Sequence, residues 1–150
     1  MNEFVAKKLG EVLAFSRIGI ECAERSGSYF TEAIGEHGAH FSETLATIAT
    51  VVEQIGNDIT RSKAEATVLK LRGMMEAYIG DEWQNPTEIL EWLSFFAGAA
   101  GAHWSLVKGA ADTLHDDKLQ DVADDAIKGY EKLLVVVNEQ LYAVGQQRSV

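Results

Sequence analysis

The chain reads as an all-α helical bundle forming one domain over residues 1–150. Apolar residues recur three and four apart along nearly the whole sequence, the spacing that gathers them on one face of a helix. Pro86 is the only proline, whereas a β-rich chain of this length needs many tight turns, which draw on proline. Hydrophobic residues make up 47% of the 150 residues, a globular composition that suits one core.

The first helix is expected over 3–26. Val5, Leu9, Val12, Ser16 and Ile20 share one face, and Phe4, Phe15, Ile18 and Cys22 share a second. Glu11 lies on that second face. Two apolar faces imply a bundle core on one side and another contact on the other. The second helix is expected over 29–56, with Phe30, Ile34, His37, Phe41, Ile48, Val52 and Ile55 as its stripe. Gly56, Asn57 and Asp58 end it, because Gly and Asn suit a left-handed C-terminal cap. Ser62 to Glu65 has the spacing of a capping box for a third helix over 60–80, striped by Val68, Leu71, Met75 and Tyr78.

Gly80, Asp81 and Glu82 break the chain again. In Asn85-Pro86-Thr87-Glu88, Asn caps, Pro fits the first helical position and Glu faces the free amides. The fourth helix follows over 86–114, lined by Ile89, Leu93, Phe96, Ala100, His103, Val107 and Leu114. Trp92, Phe95 and Trp104 widen its apolar arc past half the circumference, which implies a central helix or a subunit interface. His115, Asp116 and Asp117 turn the chain into a fifth helix over 117–144. Leu119, Val122, Ala126, Tyr130, Leu133, Val137 and Leu141 point inward, and the tail from Gly145 is expected to fray.

Net charge is −10. Lys and Arg are scattered, and only Lys7-Lys8 and Arg61 with Lys63 lie close together, so neither nucleic acid nor an anionic membrane surface is an expected partner. Cys22 is the only cysteine, which rules out an internal disulfide. Gly10, Glu11 and Arg17 interrupt the apolar run a signal peptide would need. Trp92 to Val107 is uncharged but too short and too polar for a membrane span. The expected location is the cytoplasm.

Short first and last connections make antiparallel hairpins, and the third helix is long enough to carry the chain from one end of the bundle to the other. With that topology, Ala99 to Trp104, Thr113 to Leu119, Asp124-Asp125 and Tyr130 to Leu134 resemble the third and fourth helices of the ferritin-like, or rubrerythrin-like, superfamily. The resemblance implies a four-helix bundle of two antiparallel hairpins plus a long crossover helix. The superfamily's di-metal site takes a Glu from each of two helices and a Glu-x-x-His from each of the others. This chain contains no Glu-x-x-His. Glu36 and His40 are four apart with His37 between, and Asp125 to Gly129 stands where the last motif belongs. The resemblance therefore implies the fold without oxidase or iron-storage activity.

Glu36, His37, His40 and Glu43 are the densest set of metal-ligand types. With His103, and Glu11 or Glu21, they are candidates for one Zn or Fe ion; the alternative is one hydrogen-bonded core histidine and a solvated flank. His37 and His103 both fall on core stripes and are also candidate axial haem ligands. Trp92, Phe95, Phe96 and Trp104 are candidates to line a pocket for a small apolar ligand, or simply to pack. Tyr130 is inward at mid-helix, and its hydroxyl needs a partner. Asp116, Asp117, Asp121, Asp124 and Asp125 form an acidic, solvated face. Ser105 to Gly109 resembles the His-x-x-Lys-Gly segment of histidine phosphotransfer bundles, with serine where the histidine belongs.

Three functions stay open. The first is a ferritin-like binding or assembly protein without a complete di-iron site, a homodimer with no catalytic residues. The second is a metalloprotein with a mononuclear site at Glu36, His37, His40 and His103. The third is a phosphorelay bundle.

Overall fold

The computed structural model describes all of residues 1–150 as helices and short turns, with no strand. Six helices follow one another: α1 (Glu3–Ser26), α2 (Ser28–Ile34), α3 (His37–Ile55), α4 (Asp58–Ile79), α5 (Pro86–Leu114) and α6 (Asp117–Arg148). No helix is long and apolar enough to cross a membrane.

The expected second helix is two helices. Gly35, at φ 66°, occupies a left-handed conformation that glycine adopts freely, and its N–H closes α2 on the Thr31 carbonyl. The chain restarts at His37, so the helical phase does not run through. Phe41, Leu45, Ile48 and Val52 face the core, while His37 sits on the exposed first turn of α3.

The next corner also differs from expectation. Gly56 is extended (φ −76°, ψ 175°) rather than left-handed. The capping box is formed by Asn57 and Thr60, not by Ser62 and Glu65. Asn57 Oδ1 accepts from the Thr60 amide, and Thr60 Oγ1 accepts from the Asn57 amide, both at 3.2 Å. The Asn85 cap forms as expected, accepting from the Thr87 amide at 3.1 Å. His115, the only non-glycine residue at positive φ, closes α5. The C-terminal segment remains helical to Arg148 instead of fraying at Gly145.

α1, α3, α6 and α5 pack in a ring, each on the next, around a shared apolar core. Neighbours run antiparallel: Arg17 meets Glu53 across α1 and α3, and Lys108 meets Asp124 across α5 and α6. α4 lies outside the ring, parallel to α1. Gly10 abuts Thr60, Glu21 pairs with Arg72, and Arg25 lies 3.9 Å from Glu76. A Cβ on Gly10 would stand 2.6 Å from the Thr60 carbonyl oxygen, so glycine there permits the close approach. The α4 contact thus uses Gly10, Glu21 and Arg25, whereas Phe15 of the second apolar face packs on Phe96 and His103 of α5. α5 packs on α1, α2, α4 and α6, a central position that buries Trp92 and Trp104 but leaves Phe95 60% exposed.

Candidate functional site

α4 packs closely on α1 and only lightly on α5. The gap leaves a groove of about 490 Å³ between the three helices. Phe15, Leu71, Met74, Trp92, Phe95 and Phe96 supply most of its apolar surface. Phe95 lies 60% exposed within it, and Met74 is also exposed. The Tyr78 ring meets Phe95 edge-on at 5.2 Å, and its hydroxyl donates to Glu91. Trp92 and Phe96 anchor the floor, their ring centroids 6.3 Å apart.

Polar groups gather at the opposite end. Glu11 of α1 is only 15% exposed and accepts from Lys8 Nζ on both oxygens, at 3.1 and 3.2 Å. Lys63 Nζ of α4 and His103 Nε2 of α5 each stand 3.9 Å from Glu11, too far for a hydrogen bond. His103 Nδ1 lies 2.7 Å from the Ala99 carbonyl one turn back, so Nδ1 carries a proton and donates it there. Lys70 lines the groove further along α4.

His103 therefore is not a core histidine: its side chain is 42% exposed, and its ring packs on Phe15 at 4.9 Å. His37 and His40 are exposed on α3 and line grooves against α6. The four residues of the candidate metal set are divided between two faces of the molecule, and no three His, Cys, Asp or Glu side chains come together to hold an ion. His37 and His103 do not face each other across the core as axial ligands would.

The bundle interior does not suit a di-metal centre either. No carboxylate or imidazole is buried; Ser16, Ser26 and Thr60 are the buried polar residues beside the aromatic ones. Tyr130 is fully buried between Phe41 and Phe96, and its hydroxyl lacks a formed hydrogen bond, as does Trp104 Nε1. Burial pushes the Tyr130 phenol pKa well up, with the nearby Ser16 hydroxyl a weaker opposing influence. Ser105 is exposed on α5 and donates to the Gly101 carbonyl.

A second groove, of about 570 Å³, runs between α3 and α6. His40, Glu43, Lys118, Asp121 and Asp125 border it, so its rim is polar and largely acidic. Of the aromatic residues expected to line a pocket, Trp92, Phe95 and Phe96 border this groove, whereas Trp104 is fully buried in the core; Phe15, Lys63, Lys70 and Met74 complete the lining without a pocket signal of their own in the sequence. Lys63, Thr67, Lys70 and Met74 recur four, three and four apart, a stripe beside the buried one of Ala64, Leu71 and Met75.

No protein-family profile, curated protein or solved structure matches this chain.

Proposed function

We propose that this chain is a ferritin-like bundle that binds rather than catalyses, and that its ligand is a small apolar molecule held between α1, α4 and α5. The antiparallel pairs α1/α3 and α5/α6, with α4 running the length of α1 between them in sequence, support the ferritin-like reading. The observation that carries the binding reading is Phe95, left 60% exposed over a groove floored by Trp92 and Phe96. Phe95 and Met74, exposed over a concave apolar surface, gain free energy when a ligand removes them from water.

Nile red, a neutral apolar dye, tests the proposal. It brightens on binding in this groove, and 1-decanol displaces it. Ala99→Trp fills the groove and abolishes binding, while Val51→Trp, which fills the α3/α6 groove, leaves it intact. A dye that ignores the protein, or that binds the Ala99→Trp variant as well as the parent, would refute the site.

A further inference from the structure

We infer that the ligand is an amphipathic monoanion, an apolar chain ending in a carboxylate whose head group pairs with Lys63. The inference rests on the reading of the α1/α4/α5 groove as a ligand site. Chain and charge are segregated along this groove. From Lys63 to Met74 is eleven positions on α4, about 16 Å at ~1.5 Å per residue. Met74, Trp92 and Phe95 form the apolar end, and Lys63, Glu11 and His103 the polar end.

Charge decides the sign of the head group. The protein carries net −10, yet this groove sets two lysines against one carboxylate. That carboxylate, Glu11, is occupied by Lys8 through both oxygens. Lys63 is left at 3.9 Å from Glu11 with an unfilled donor shell, and Lys70 forms no ion pair. His103 spends its Nδ1–H on the Ala99 carbonyl and turns Nε2 toward Glu11 at 3.9 Å. The head group's charge is therefore met by Lys63, while the methylene stem of Lys70 lies along the chain.

Decanoate, 1-decanol and decyltrimethylammonium share a chain and differ in head-group charge. Each is titrated below its aggregation limit into the full chain, with tryptophan fluorescence and calorimetry as readouts. Decanoate should bind about three- to fivefold tighter than decanol, the size of an exposed ion pair. Lys63→Gln should abolish that preference, bringing decanoate and decanol to equal affinity. Glu11→Gln should tighten decanoate by removing the competing carboxylate. Decanol or the ammonium binding as tightly as decanoate overturns the anion inference and leaves the groove standing. Failure of all three ligands overturns both readings. Decanoate that still binds Ala99→Trp is seated elsewhere, which also overturns the inference.

Discussion

Arg72 of α4 donates three hydrogen bonds to Glu21 of α1, at 2.7, 3.0 and 3.1 Å. The fork-like contact fixes the rotation of α4 against α1 and with it the width of the groove. Hydrogen bonding from Arg72 holds the Glu21 carboxyl below its ordinary pKa, against the opposing effect of burial. A depressed folded value means that the contribution is complete above the unfolded glutamate value of about 4.3 and is lost as pH falls through the folded value. Both side chains are partly exposed, so Glu21→Gln should cost about 1 kcal/mol at neutral pH. Urea unfolding should show parent and variant converging near pH 3; a constant difference across that range would separate the contact from the charge.

Gly10→Ala should destabilise the protein by about 1–3 kcal/mol despite alanine's better helix propensity. The new Cβ meets the Thr60 carbonyl oxygen at 2.6 Å and Lys63 Cβ at 2.7 Å, and the backbone oxygen cannot rotate away. Chemical denaturation measures the loss. Unchanged stability would mean that α4 does not lie this close to α1.

Tyr130→Phe should leave stability unchanged or raise it by up to about 1 kcal/mol, because it removes a buried hydroxyl that has no formed hydrogen bond. Thermal melting decides the sign. A loss above about 2 kcal/mol would indicate a partner for that hydroxyl, such as a buried water.

The Cys22 thiol should be inert to thiol reagents in the folded protein and react only at the rate of unfolding. It is completely buried, and desolvation pushes its pKa up to about 12, which starves it of thiolate. The Tyr130 phenol is raised by the same cause. Both groups are held neutral in the fold, so stability is flat below their unfolded values, about 8.5 for Cys and 10 for Tyr, and declines as pH rises above them. Alkaline unfolding monitored by phenolate absorbance should show Tyr130 ionising together with loss of helix. Ionisation of every tyrosine before unfolding would contradict the burial of Tyr130.

Helix positions and the core were largely legible because both follow from local periodicity. The boundaries of α1 and α5 coincide with the expected 3–26 and 86–114. Leu119, Val122, Ala126, Tyr130, Leu133 and Val137 all face inward as their spacing predicts. The break at Gly35 was missed because a lone glycine is tolerated inside a helix, and nothing in the flanking residues distinguishes a break from continuation. That miss carried His37 onto a core stripe it does not occupy.

The sequence by itself determined an all-α chain, most of the residues that form its core though not His37, His103, Tyr78 or Leu114, and the lack of any Glu-x-x-His. Each is a property of residue type and local spacing. Only the tertiary structure decided that α4 lies alongside α1, that His103 faces Glu11 rather than His37, and that Phe95 and Met74 border an open groove instead of packing. Those outcomes depend on how far one helix stands from another. That distance is set by contacts between residues remote in sequence, such as Gly10 with Thr60 and Glu21 with Arg72, and periodicity within a single helix carries no information about them.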